Sequence, residues 1–193
     1  STSKKGIHPN PCKTSGIGYI AMDIRKIKPG ENIPKEINVI IEIPQGSGVK
    51  YELDKETGSL FVDRFIYSAM YYPANYGFIP HTQAEDGDPV DVLVLSREPV
   101  TPKSVIKARP IGVIISEDEK GMDEKIIAVP IPKLDPTYDH INDIEDLPDA
   151  LKKKLIHFFE HYKELEPGKW VKVHGFKGRK EAEEIITKSI NHG

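Results

Sequence analysis

Short β-branched runs, each cut off by proline, glycine or an acidic turn, constrain this chain more than any other feature. Ile37-Asn38-Val39-Ile40-Ile41-Glu42-Ile43 is such a run, and it stops at Pro44. Two heavy atoms on Cβ stiffen these side chains and favour an extended backbone. Val49 to Asp54 alternates, which puts Lys50, Glu52 and Asp54 on one face and Tyr51 and Leu53 on the other. A turn over Asp54 to Gly58 then leads into Leu60 to Phe65, the expected hairpin partner. Val90 to Leu95, Val105 to Ser116, Lys125 to Ile131 and Trp170 to His174 are further expected strands. Many short strands separated by turn signals are the pattern of a small closed or partly closed barrel.

Helical spacing comes late. Asp146 is the expected N-cap of a helix on which Leu151, Leu155, Phe158, Phe159 and Tyr162 recur, and Glu166-Pro167-Gly168 ends it. Glu181 to Ile190 is a shorter amphipathic segment expected to pack on the barrel wall. The expected fold is therefore α+β, a barrel with helices against it, forming a single domain over 22–193. Ser1 to Ala21 is polar and lacks periodicity, so it is expected to be a flexible extension or an expression remnant, with Met22 a candidate start. His8 and Cys12 in this stretch are too few to make a zinc site.

Bulk properties exclude some function classes. The formal net charge of -3 argues against a general polyanion-binding surface. No apolar run approaches the ~20 residues needed to cross a bilayer. The lone Cys12 cannot form an internal disulfide, which suits a reducing cytoplasm. A cytoplasmic protein, with neither membrane nor nucleic-acid partners, is the expectation.

The most informative stretch is Glu85-Asp86-Gly87-Asp88-Pro89-Val90-Asp91, an acidic turn that runs directly into an apolar strand. Two carboxylates about 5 Å apart repel by roughly 3 kcal/mol at an effective dielectric near 20. Such a group must be solvated, protonated or bridged by cations, and carboxylate oxygens favour hard ions such as Mg²⁺, Mn²⁺ or Ca²⁺. An EF-hand does not fit: counting from Asp86, the sixth position is Asp91 where glycine is needed. A second acidic group, Glu117 to Glu124, brackets Lys120-Gly121, so Asp118 and Asp123 are expected to face each other across a hairpin neck. Either cluster alone could be a solvated loop.

Basic and hydroxyl-bearing residues shift that balance. Lys50 shares a strand face with Glu52, Arg64 lies on the hairpin partner, and Lys125 follows the second acidic group. Tyr72 and Tyr76 lie in an expected loop punctuated by proline and glycine, and Tyr162-Lys163 lies near a helix end. Cationic and phenolic donors beside clustered aspartates are what a phosphate-plus-metal site requires. His157 and His161 are spaced i, i+4 but Phe158 stands where a metalloprotease helix needs glutamate, so they are expected at a packing contact or subunit interface. Neither a P-loop nor a GxGxxG fingerprint is present.

These residues carry a family resemblance. Asp86-Gly87-Asp88-Pro89-Val90-Asp91-Val92-Leu93 resembles the signature of family I soluble inorganic pyrophosphatases. Ile41-Glu42-Ile43-Pro44, Lys50-Tyr51-Glu52, Phe61-Val62-Asp63-Arg64-Phe65, Tyr72-Pro73-Ala74-Asn75-Tyr76-Gly77 and the run His157 to Lys163 resemble the bacterial branch. The resemblance runs in order from about Ile33 to Val173. It implies a five-stranded OB-like β-barrel with flanking C-terminal helices. It also implies hydrolysis of pyrophosphate to two orthophosphates by metal-activated water, without a covalent intermediate. Asp86, Asp91 and Asp123 would be primary metal ligands, Asp118 would join Asp123 on a further ion, and Glu52 would support another. Asp88 would accept a proton from the attacking water. Lys50, Arg64, Tyr76, Lys125, Tyr162 and Lys163 would hold the phosphates, with Glu42 and Tyr72 lining the site. The implied cofactor is Mg²⁺, several per site, with Mn²⁺ or Zn²⁺ as substitutes, and the implied assembly is a homohexamer.

The rival from another class is a non-catalytic OB-barrel that binds oligonucleotides. It needs basic and aromatic residues along an open face. Here at least five acidic residues stand among the basic ones, and they would repel a polyanion unless metals intervene.

Overall fold

The β-branched run Ile37–Ile43 is strand β1, and all of it but Asn38 and Glu42 is buried. In the computed structural model, which describes residues 22–190, seven further strands follow. They are β2 (Val49–Leu53), β3 (Leu60–Phe65), β4 (Asn75–Phe78), β5 (Asp91–Val94), β6 (Val105–Asp118), β7 (Gly121–Pro130) and β8 (Val171–Gly178). Two α-helices, α1 (Asp149–His161) and α2 (Arg179–Ser189), flank β8 in the sequence. The expectation for Ser1 to Ala21 lies outside the described residues.

One sheet runs in the order β1-β4-β5-β7-β6-β8, and β1 also pairs with β6. That extra pairing closes a ring of five strands, β1, β4, β5, β7 and β6, which leaves β8 as an appendage on β6. The ring is the expected five-stranded barrel. It is antiparallel except where β5 and β7 run parallel. The β2–β3 hairpin stands outside it as a separate two-stranded sheet.

Both faces of the wall are covered. On one, Val39, Ile41, Val92, Val94, Val113, Ile126 and Ala128 meet Ala182 and Ile186 of α2. On the other, Leu93, Ile114, Ile127 and Val129 meet Leu155, Phe158 and Phe159 of α1. Fully burying one such side chain contributes about 1.5–3 kcal/mol, so both faces resist being stripped.

Three local features differ from the sequence reading. Tyr76 lies in a strand, β4, and not in a loop. Helix α1 has Pro148 as its N-cap, because Asp146 closes a preceding 3-10 turn, Ile144–Asp146, in a capping box with Asp143. Asp118 and Asp123 are not opposite one another: Ser116 faces Asp123, and Asp118 faces Gly121. The two-residue turn is Glu119-Lys120, one residue earlier than the Lys120-Gly121 turn expected from sequence, so the two aspartates are diagonal neighbours on one face.

Candidate active site

Strand register builds the floor of the site. Phe78 lies opposite Asp91 in the β4–β5 pair, Asp91 sits beside Lys125 in the β5–β7 pair, and Ser116 lies opposite Asp123 in the β6–β7 pair. Paired residues project to the same side, as do residues two apart on a strand. Tyr76, Asp91, Asp118, Asp123 and Lys125 therefore all project from the Leu93 face of the wall. Lys125 is buried at 7% exposure, and its ammonium donates to Asp123 at 2.8 Å, the Tyr76 hydroxyl at 3.1 Å and Asp91 at 3.3 Å.

The acidic loop before β5 forms one rim. Gly87 takes a positive φ of 89°, which its lack of a Cβ permits. The Asp88 amide donates to Asp86 at 3.0 Å, and the Ala84 amide donates to the Asp88 carbonyl at 2.7 Å. The backbone of this turn is thus satisfied locally, and the Asp86 and Asp88 carboxylates are left exposed towards the cavity.

The β2–β3 hairpin forms a second rim. Lys50 lies opposite Arg64, and a register shift at this point leaves Asp63 as the extra residue. The bulge turns Asp63 onto both cations, at 3.0 Å from Lys50 and 3.2 Å from Arg64. Arg64 also reaches Glu166, which follows α1, so the hairpin is tied to the helical side. At the end of α1, Tyr162 stacks on Phe158 with ring centroids 5.0 Å apart. The next residue, Lys163, donates to Asp118 at 3.1 Å.

These rims enclose a cavity of about 580 Å³ lined by every candidate named from sequence except Glu52 and Glu42. Glu52 lines an adjoining cavity of about 350 Å³, which shares Lys50, Arg64, Tyr76, Asp88 and Asp91 with the first and also contains Glu42. Charged residues that the sequence reading left without a role lie here too: Asp63, Glu119, Lys120 and Lys169 line the cavities, and Glu166 pairs with Arg64 beside them. Asp63 left a sequence signal, being next to Arg64 on a hairpin opposite Lys50, and Glu119 and Lys120 lie within the second acidic group. Glu166 is 102 residues from Arg64 in sequence, so nothing local marks it as a partner.

The electrostatics follow from burial and pairing. Burial pushes Glu42 up to about 7, against a hydrogen bond from the Leu53 amide at 2.7 Å that holds its charged form. Burial likewise raises Asp91, opposed by Lys125. Burial alone would lower Lys125, but Tyr76, Asp91 and Asp123 around it hold it well above the usual lysine range. Tyr72 and Tyr76 are raised by burial, so both hydroxyls keep their protons and can donate. Glu119 is held down at about 2, mainly by the hydrogen bond from Lys169.

Among the described residues no three Asp, Glu, His or Cys side chains converge as a closed metal cage. Lysine ammoniums separate the carboxylates instead. The donor set still fits a hard, partly hydrated ion, since Mg²⁺ keeps several waters and usually takes only one or two carboxylates.

A five-stranded barrel with carboxylates, lysines, an arginine and phenols around one polar cavity defines the class as a phosphate-processing, metal-using barrel hydrolase. The family is more specific. The family model described as inorganic pyrophosphatase matches residues 39–193, and the chain belongs to that family. It is 60% identical over 171 residues to the inorganic pyrophosphatase of Aquifex pyrophilus, covering 89% of this chain and 97% of that one. The structure of inorganic pyrophosphatase from Thermus thermophilus superposes with a TM-score of 0.84 at 46% identity, covering 88% of this chain and 97% of that one. The Helicobacter pylori enzyme gives 0.83 at 52% identity, covering 86% and 96%. Among the described residues no helix is long and apolar enough to cross a membrane.

Proposed function

We propose that this chain hydrolyses inorganic pyrophosphate to two orthophosphates. The observation that carries the reading is that one cavity brings together carboxylates suited to divalent cations and cationic donors suited to phosphate oxygens. The name shared by its relatives points to the same substrate.

In this reading pyrophosphate lies between the β2–β3 hairpin and the end of α1. Lys50 and Arg64 take phosphate oxygens from one side, and Tyr162 and Lys163 from the other. Tyr76 and Lys125 donate from the floor. Asp88 is the base: exposed in the cavity, it accepts a proton as the water oxygen bonds to one phosphorus and the bond from that phosphorus to the bridging oxygen breaks. Asp86, Asp91 and Asp123 would hold Mg²⁺, with Asp118 and Glu52 supporting further ions. When bound, the ion supplies Lewis-acid charge and acidifies water. The cationic donors absorb charge on the transferred and leaving phosphates, where phosphoryl transfer needs it. No side chain forms a covalent intermediate in this scheme. A cytoplasmic homohexamer is the proposed setting, with exposed His157 and half-buried His161 on α1 as contact candidates.

Phosphorus NMR of pyrophosphate incubated with the protein tests the activity. Conversion to orthophosphate with Mg²⁺, abolished by a chelator, is expected. No conversion, together with tight binding of a single-stranded oligonucleotide, would favour the oligonucleotide-binding barrel instead.

A further inference from the structure

The cations and carboxylates of this cavity are already committed to one another. An ammonium has three donors. Those of Lys125 have three partners: Asp123 at 2.8 Å, Tyr76 at 3.1 Å and Asp91 at 3.3 Å. A phosphate oxygen can therefore take a proton of Lys125 only if one of these partners gives it up. Lys163 is committed in part, donating to Asp118 at 3.1 Å and lying 3.6 Å from Glu119. Both ammoniums are screened from water, since the side chains of Lys125 and Lys163 are only 8% and 11% exposed.

The charge balance makes this consequential. Lys125 with Asp91 and Asp123 carries one net negative charge, which repels an approaching pyrophosphate. One divalent cation on the two carboxylates turns the group positive. It also competes for the carboxylate oxygens that now hold the ammonium. Phosphate drawing on Lys125 has the converse effect, because it removes the countercharge of Asp91 and Asp123.

We propose that Lys125 and Lys163 are internal counter-ions of Asp91, Asp123 and Asp118, so that divalent cations and phosphate each release the residues that bind the other. The proposal rests on the pyrophosphatase reading and adds that cation and anion sites are coupled through the protein. Linkage requires the coupling to be reciprocal: the factor by which Mg²⁺ tightens phosphate equals the factor by which phosphate tightens Mg²⁺. It also makes each lysine a brake on cation binding when phosphate is absent. A lysine that served phosphate alone would be no such brake.

Isothermal titration calorimetry tests this without turnover. Full-length protein, stripped by a chelator and dialysed, is titrated with Mg²⁺ alone and then with Mg²⁺ in saturating inorganic phosphate. Wild type is compared with Lys125→Met, Lys163→Met and Lys125→Arg. Each methionine variant should bind Mg²⁺ at least about fivefold tighter than wild type without phosphate, and should lose most of the tightening that phosphate gives. Lys125→Arg keeps the charge and should bind Mg²⁺ as wild type does. The two lysines hold different aspartates, so if one methionine variant fails to fold the other still reads the effect. Methionine variants that bind Mg²⁺ no tighter than wild type, or that keep the full phosphate enhancement, would overturn the proposal. A wild type that binds neither Mg²⁺ nor phosphate would instead contradict the pyrophosphatase reading itself.

Discussion

The two acidic clusters of this protein are held in opposite ways. In the β6–β7 hairpin, Asp118, Glu119 and Asp123 are each tied to a lysine: Asp118 to Lys163, Glu119 to Lys169, and Asp123 to Lys125. In the loop before β5, Asp86 and Asp88 are exposed and form no ion pair among the described residues. The Asp86 carboxylate accepts only a backbone hydrogen bond, from the Asp88 amide, among the described residues. Asp91, at the start of β5, links the two regimes through Lys125. The difference teaches a division of labour. Carboxylates paired with lysines can be packed at the floor with part of their mutual repulsion offset, whereas a proton acceptor must keep its lone pairs open to the attacking water. Density of acidic residues alone does not separate these roles. Their partners do.

The sharpest strain on this comparison comes from changing the ion. The open loop and the lysine-bound floor together offer few convergent ligands, which suits octahedral Mg²⁺ at about 2.0–2.1 Å and not Ca²⁺, which wants six to eight ligands at about 2.3–2.6 Å. Ca²⁺ should bind, displace Mg²⁺ and reduce phosphate release to background. Equal turnover in Ca²⁺ and Mg²⁺ would mean that the ligand geometry drawn here is wrong.

Asp91→Asn probes the residue that joins the two regimes. The variant removes one carboxylate of the proposed cation site but leaves the loop intact. The Mg²⁺ concentration for half-maximal activity should rise by about tenfold or more, in the range seen when metal-site partners are lost. Raising the pH alone should not restore it. An unchanged Mg²⁺ requirement would remove Asp91 from the ligand set.

The smallest effect concerns Glu42, a carboxylate in neither cluster. Burial raises it from an ordinary 4.5 to about 7, so between those values the folded chain holds a proton that the unfolded chain has released. The stabilisation from this group is therefore full below its unfolded value and is lost as pH rises through about 7. Glu42→Gln should match wild type at pH 5 and melt higher at pH 8, by about 2–4 °C for each kcal/mol recovered. Thermal unfolding in chelator at both pH values reads this directly. A variant less stable than wild type at pH 8 would show that the charged form is held well by its surroundings.

Much of this architecture was legible in the residues, for identifiable reasons. β1 and β3 begin and end where the sequence reading put them, because Pro44 stops one and the Asp54–Gly58 turn sets the other. β4 was not legible. Asn75-Tyr76-Gly77-Phe78 lacks a strand pattern, and its extended form is imposed by its neighbours. A Cβ on Gly77 would stand 2.0 Å from the Ile40 carbonyl oxygen, so only glycine permits the β1–β4 approach. Buried Asn75 donates to Val94 and Ser96 and accepts from the amides of Gln45 and Val100, a set of contacts dispersed along the chain. The candidate site residues were visible as motif residues because chemistry fixes their types. The pairing of Lys125 and Lys163 with particular aspartates was not, because it depends on strand register and on where α1 ends.

The account turns on the contrast between an open Asp88 and a lysine-bound Asp118, and one measurement addresses it directly: turnover of Asp88→Asn and Asp118→Asn at saturating Mg²⁺, across pH 6 to 9. Asp88→Asn keeps the side-chain shape but loses the proton acceptor. Its turnover should fall by about 10²–10⁴, the usual cost of losing a general base, and should recover partly as pH rises and hydroxide replaces it. Asp118→Asn should lose less at saturating Mg²⁺ and show its defect as a higher Mg²⁺ requirement. Near-normal turnover in Asp88→Asn, or a deeper and pH-rescued loss in Asp118→Asn, would contradict the assignment and move the base to the lysine-bound cluster.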